Sequence, residues 1–305
     1  MRVDVPASAL AAGFSNEPAG THSSRAIMLA ELETLLRATP VDATYEDYAA
    51  AVVSENVLGR STLATRAKSL RHLRELYALR SDVPVFASLR RMWSSDVEAH
   101  PLVALLCAIA RDPLLRATAE LILEAGVGSA VSATELSEAV GRAFPRRSTR
   151  DVLARIGRNV ASSWTQSGHL RGRSKKTRAH PRSTPAAAAY ALYLGHLCDA
   201  TGSGLFRTLP ARLLDVPETD ARELARAASR LGWITYRAAA GMTEVTFRQL
   251  EASAERRSHE SSLASSRSAV PSALFDPGAC VSASRHAAGG VSSGGCPHVP
   301  GRHGH

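Results

Sequence analysis

The sequence predicts a mainly α-helical protein carrying helix–turn–helix or winged-helix-like units with short β-hairpin wings. Three observations predict it. Apolar residues make up 45% of the 305-residue chain but aromatic residues only 5%. The core must therefore be Ala, Leu and Val, and Ala and Leu favour helices, whereas strands draw on β-branched and aromatic residues. Side-chain caps, first-turn prolines and terminal glycines mark one helix after another. Finally, one pattern of short helix, turn, longer helix and extended piece occurs twice.

Residues 1–24 are rich in Ala, Ser, Gly and Pro and read as a loose N-terminal tail. A helical N-terminal domain is expected over 25–127. Thr44 caps "YEDYAAAVVSEN", and Ser61 or Thr62 caps "LATRAKSLRHLRELYAL". The run 101–110 is apolar nearly all round, which predicts a buried helix. Asp112 and Pro113 start "LLRATAELILEA", ended by Gly126, and Thr184 and Pro185 start "AAAAYALYLGHLCDA", ended by Gly202. An oxygen at the N-cap, Pro in the first turn and Gly past the end satisfy or avoid the unpaired backbone groups of helix termini.

The repeat follows. Its first copy is "SATELSEAVGRAFPRRSTRDVLARIGRNVASSWTQSGHLRGR", within a winged-helix-like basic unit at 128–185. Its second is "FRTLPARLLDVPETDARELARAASRLGWITYRAAAGMTEVTF", within a near-neutral unit at 186–250. In that copy "WITYRAAAGMTEVTF" alternates β-branched residues around a Gly, which predicts a hairpin. Residues 251–305 are low-complexity and too poor in apolar residues to offset the entropy of ordering, so a disordered tail is expected.

Charge is concentrated. The formal net charge is +9, and Lys occurs only at 68, 175 and 176. Residues 142–182 hold twelve basic residues against one acid, Asp151, a local +11 that leaves −2 for the rest. Such an island favours a polyanionic partner. Between Ser148 and Ser167 a helix is predicted, with Ser148 and Asp151 spaced like a capping box. Val152, Ile156, Val160 and Trp164 recur every four residues as its buried stripe, with Leu153 beside them. Arg155, Arg158, Ser162 and Thr165 fall on the other side, and Arg147 and Arg150 flank the start. In a winged helix this second helix enters the major groove and the hairpin follows the phosphate backbone. The stretch "GHLRGRSKKTRAHPRSTP" at 168–185 supplies Arg171, Arg173, Lys175, Lys176, Arg178 and Arg182 for that role. The plainer alternative is a solvated helix and a basic linker.

A second basic segment, "GRSTLATRAKSLRHLR", sets Arg60, Arg66, Lys68, Arg71 and Arg74 around an apolar seam of Leu63, Leu70, Leu73 and Tyr77. Thr65, Arg66, Lys68, Ser69 and His72 are left outward. It is either a solvated helix or a second phosphate-contacting element, with Arg60, Thr62, Thr65, Arg66 and Lys68 as candidate contacts. The repeat at 186–250 has the layout without the charge and is expected to pack or to dock protein.

Signals for catalysis are absent. There is no GxxxxGK[ST], no GxGxxG after a strand, no HExxH and no GxSxG. Glu46–Asp47 and Glu135–Glu138 read as surface charge, and His169 as structural. Neither catalysis nor a cofactor is expected. Cys280, His286, Cys296, His298, His303 and His305 are irregularly spaced in a Gly-rich tail, which argues against zinc. Cys107 and Cys198 complete the cysteines; no CxxC occurs, and a reducing, cytoplasmic setting is expected. Asp4 and Pro6 interrupt any signal-peptide-like apolar run.

The segments "ENVLGRSTLATRAKSLRHLRELYAL", "ARDPLLRATAELILEAG" and "STRDVLARIGRNVASSWTQSGHL" together resemble the BrxA family of BREX phage-exclusion systems, over about residues 26–170. The resemblance implies a NusB-like helical core and a non-enzymatic, DNA-binding protein working beside a methyltransferase and ATPases. By position, Asn56, Arg60, Thr62, Thr65 and Arg66 match the hairpin motif, and Thr149, Arg155 and Arg158 the later helix. The chain departs from the family in its 186–250 region and low-complexity tail, which leaves a related component of another defence island as the alternative to a true BrxA. The expected function is binding of double-stranded DNA as an accessory defence protein. A protein-docking scaffold and a helix–turn–helix transcriptional regulator are the alternatives.

Overall fold

The computed structural model describes residues 4–145, 148–239 and 241–251. In chain order the elements begin with α1 (Ala7–Ala11), a 3₁₀ turn (Thr21–Ser23), α2 (Leu29–Ala38) and α3 (Tyr45–Ala49), which runs into a π-helical turn (Ala50–Ser54). Next come α4 (Leu63–Tyr77), α5 (Pro84–Met92), α6 (His100–Arg111), α7 (Pro113–Arg116) and α8 (Ala119–Glu124). The basic unit contributes α9 (Ala133–Ala143), α10 (Arg150–Gln166), β1 (Leu170–Arg171) and β2 (Thr177–Arg178). The second repeat contributes α11 (Pro185–Leu197), a 3₁₀ segment (Gly202–Arg207), α12 (Leu209–Arg212), α13 (Glu218–Arg230), β3 (Thr235–Ala239) and β4 (Met242–Thr246). The chain is thus mainly helical, with two small antiparallel hairpins.

Many of the caps act as the sequence predicts. Thr44 and Thr62 form reciprocal capping boxes with Asp47 and Thr65, and Ser132, which the sequence reading does not single out, forms one with Glu135. Asp112 accepts from the Leu114 N–H and Thr184 from the Ala187 N–H. The α10 cap is Thr149, not Ser148: its hydroxyl accepts from the Val152 N–H. The helix expected after Pro113 is broken at 117–118 into α7 and α8.

Two helices without a polar face organise the core. On α6, every residue from Leu102 to Ala110 is buried, and on α11 every residue from Ala186 to Gly195. They lie against each other, with α5 touching both. The Tyr190 hydroxyl of α11 donates to the Val85 carbonyl of α5 at 2.8 Å. One hydrophobic cluster runs from Ala9 to Leu250, so the 186–250 segment supplies a wall of the core. Among the described residues no helix is long and apolar enough to cross a membrane.

The N-terminal segment corrects the sequence reading. Residues 4–24 do not form a loose tail: Ala9, Phe14, Thr21 and His22 are buried. Long-range hydrogen bonds hold them, which no local pattern encodes. Ser15 N–H donates to Ala110 O at 3.1 Å, Val85 N–H to Ala12 O at 3.1 Å, and Arg116 to Ser15 O at 2.5 Å. Thr21 of the same layer lies 3.3 Å from the His72 ring, and Ser69 and His72 are both buried and not outward, whereas Leu63 is exposed. The tail beyond 251, with its Cys and His residues, lies outside the described residues.

Both repeats share an order of elements. In the first, residues 128–131 pair with β2 before α9 begins. Gly128 N–H donates to Arg178 O at 2.9 Å, Val131 N–H to Lys176 O at 3.0 Å, and Ala130 bridges Thr177. β2 in turn pairs with β1, Leu170 opposite Arg178. The spatial order is therefore 130, β2, β1. In the second repeat β3 and β4 form the expected hairpin, Thr235 opposite Thr246, turning through Gly241 at φ +82°.

Candidate nucleic-acid interface

The interface begins with how closely α9 and α10 approach. Gly157 sits on the α10 face against α9, where a Cβ would collide with the Ala133 carbonyl oxygen and lie 2.8 Å from Ser137 Cβ. Ile156, Val160 and Trp164 are buried as predicted, and Val152 and Leu153 half-buried. That leaves Arg150, Arg155 and Arg158 exposed along the first half of the helix. No carboxylate among the described residues pairs with any of them.

The β1–β2 hairpin folds back beside this helix. Gly172, at φ +100°, makes the tight turn, where a Cβ would meet the Lys175 carbonyl. Arg171, Arg173 and Lys175 are exposed around the tip. Lys176 turns inward: its Nζ donates to Thr165 Oγ1 at 2.8 Å and to Gly172 O at 3.2 Å. Burial without a carboxylate beside it lowers its pKa, since desolvation disfavours the charged amine.

Hairpin, α10 and the start of α9 enclose an open groove of about 720 Å³. Arg158, Arg173 and Lys176 line it, over a floor of Val131, Ala133 and Ala161, and among the described residues no acidic one does. On the other side of α9 lies a depression of about 460 Å³ lined by Glu120, Glu124 and Glu135. Arg142 lines this second depression too, and Glu120 pairs with Arg212 at 2.7 Å.

Not every basic residue of the island belongs to this surface. Arg178 is buried, with a side chain 2% exposed. Its Nε donates to Ile122 O at 2.7 Å, its guanidinium also bonds the His169 and Ala179 carbonyls, and it pairs with Asp215 at 2.7 Å. The expectation that Arg178 meets a phosphate backbone is therefore overturned: it ties the hairpin to the α12–α13 turn. His180 joins it, 2.8 Å from the second Asp215 oxygen. Arg182 pairs with Glu98 at 2.5 Å, past the hairpin. Arg147 lies outside the described residues.

The α4 candidates are mostly used within the fold. Arg60 pairs with Glu31 at 2.7 Å. Arg66 donates to Arg60 O at 3.2 Å and Val53 O at 3.1 Å. Thr62 and Thr65 are spent on the capping box. Lys68 is exposed and carries no ion pair with a described residue. The 3₁₀ turn at 21–23 lies between α4 and α10 and touches both, so the two basic segments do not merge into the groove.

Among the buried histidines are His22, which the sequence reading does not single out, and His169, which it reads as structural. His22 places Nδ1 2.5 Å from Asp112 Oδ2 and Nε2 2.9 Å from Ser163 Oγ. The order Ser, His, Asp resembles a nucleophile triad. However, all three residues are buried and the Ser163 hydroxyl also donates to Asn159 O at 2.9 Å. In this arrangement the trio pins the N-terminal turn to α7 and α10. The three positions are far apart in sequence and carry no local signal. His169 stacks edge-on against Trp164, its Nε2 donates to Leu213 O at 3.1 Å, and burial pushes its pKa down to about 4.

No protein-family model matches the chain, and no curated protein matches its sequence.

Proposed function

We propose that this is a non-catalytic protein that binds duplex DNA through the exposed half of α10 and the tip of the β1–β2 hairpin. The observation that carries the proposal is a set of cations on two adjoining elements. Arg150, Arg155, Arg158, Arg171, Arg173, Lys175 and Lys176 lie on one helix and its adjoining hairpin without a carboxylate partner among the described residues. The order α8, strand, α9, α10, β1, β2, with β2 between the other two extended pieces, supports reading the unit as a winged helix. In that reading α10 enters the major groove and the hairpin follows the backbone.

The resemblance to BrxA supports a more specific proposal, an accessory role in a BREX-like phage-defence system with a methyltransferase and ATPases as neighbours. A protein-docking reading attaches to the second repeat alone. There Arg222 pairs with Glu218 at 2.6 Å and Arg226 with Glu223, so α13 offers a self-neutralised face.

The test is duplex binding by the full chain across a salt series. With about six phosphates engaged, log affinity against log salt has a slope of about −5. A variant with Arg155, Arg158, Arg171, Arg173 and Lys175 changed to Ser loses most of the affinity and of the slope. Salt-independent binding, or equal binding by the variant, would overturn the proposal.

A further inference from the structure

The groove between α9, α10 and the hairpin has a composition that contact with a DNA backbone does not account for. A phosphate backbone needs cations and hydrogen-bond donors, and no apolar surface beneath them. Here the cations stand at the rim of a concavity whose floor is apolar and made of small residues: Val131, Ala133 and Ala161. Its volume of about 720 Å³ lies within the range of small-ligand pockets, about 300–1,000 Å³. One hydroxyl beside the cations, that of Ser162, is not already donating to a described residue.

Lys176 gives the clearest sign of an anionic occupant. Its ammonium is held inward by Thr165 and by the Gly172 carbonyl, so its position is fixed before any ligand arrives. It has lost part of its hydration, which lowers its pKa, and it has gained no carboxylate in return. A positioned, partly desolvated cation is stabilised by an anion that enters its groove. Arg158 and Arg173 are likewise without ion pairs among the described residues and can close on the same group in bidentate fashion. The start of α9 adds little, because Glu135 already occupies the Ser132 N–H and hydroxyl at 2.8 and 2.7 Å.

We propose that this groove binds a nucleoside phosphate, with the phosphates on Arg158, Arg173 and Lys176 and the flat base over Ala133 and Ala161. The ligand class follows from the two halves of the lining. Phosphate alone leaves the apolar floor unused, and an apolar ligand leaves three cations unmatched. A free nucleotide and the phosphorylated 5′ end of a DNA strand present the same chemistry. The site shares cations with the DNA surface, so an occupied groove weakens duplex binding, but its existence does not depend on that reading.

The experiment is titration calorimetry on the full chain, without DNA and with a metal chelator present. The probes are ATP, pyrophosphate, and a trinucleotide with and without a 5′-phosphate. ATP is expected to bind at least about tenfold more tightly than pyrophosphate. If the 5′-phosphorylated trinucleotide binds and the 5′-hydroxyl one does not, the strand end is also a ligand; if ATP alone binds, the free nucleotide is. Lys176→Gln is expected to weaken ATP binding roughly ten- to a hundredfold, the loss of one charge-assisted contact. Ser162→Trp fills the groove without removing a cation and is expected to abolish ATP binding, with folding checked by its melting temperature. Pyrophosphate binding as tightly as ATP would overturn the nucleoside assignment. No ATP binding at millimolar concentration, or binding unchanged in both variants, would overturn the site. Duplex binding measured in parallel separates the two proposals, since either can fail while the other stands.

Discussion

Arg173 and Arg178 stand five residues apart in one basic stretch, and the structure assigns them opposite work. Arg178→Met keeps much of the side-chain volume and removes the charge. It leaves the Ile122 carbonyl and one Asp215 oxygen without the donor each now has at 2.7 Å. Breaking a buried pair from one side costs about 3–5 kcal/mol. Asp215 is 13% exposed and keeps His180 at 2.8 Å, which puts the loss at the lower end, about 3 kcal/mol. For a domain of this size that lowers the melting temperature by roughly 6–12 °C. Arg173→Ser touches only an exposed side chain, so its melting temperature stays within about 2 °C. DNA binding runs the other way. Arg173→Ser reduces the salt slope by about 1, whereas Arg178→Met, measured where it is folded, keeps the slope. Thermal unfolding followed by circular dichroism, paired with fluorescence anisotropy across a salt series, reads both quantities. An unchanged melting temperature with a reduced slope for Arg178→Met would refute the assignment.

Three more outcomes follow from the packing. Gly157→Ala drives a methyl into the Ala133 carbonyl and is expected to cost about 1–3 kcal/mol, read as a lower urea midpoint at unchanged m-value; a neutral result would mean that α9 and α10 are further apart. Because His169 binds its proton at about 4 in the fold and near 6.5 in the unfolded chain, stability falls as pH drops from 6.5 towards 4. Between pH 7 and pH 5 the loss is about 2 kcal/mol, with His72 shifted in the same direction by burial; His169→Gln should flatten the profile, and an unchanged profile would place the ring in water. Ser163 is sealed with His22 and Asp112, so a fluorophosphonate is expected not to label the native chain, and stoichiometric labelling would show that the trio opens to solvent.

Much of the local architecture was legible in the sequence. Thr44, Thr62, Asp112 and Thr184 announce helix starts because a side-chain oxygen over an unpaired N–H is a local device, complete within three residues. The apolar run of α6 declares burial for the same reason, and Gly241 marks the second hairpin. The four-residue spacing of Ile156, Val160 and Trp164 orients α10 and thereby exposes Arg155 and Arg158. Where the reading failed, the partner was distant. His72 reads as outward from its helix alone because the layer that meets it, residues 4–24, shows no periodicity and is held by bonds to Ala110 and Val85. Ser148 lost the cap to its neighbour Thr149, a choice that turns on backbone direction and not on residue type.

By itself, then, the sequence determined the helical class, the two-fold repeat and the sign of the charge, since these rest on propensity, local capping and composition. Only the tertiary structure decided which charges remain available. In one stretch it turned Arg178 inward to Asp215, left Arg173 in water, and drew Lys176 to the rim of a groove. An arginine's role depends on whether an acceptor waits nearby in space, and Asp215 lies far along the chain from the hairpin that it anchors.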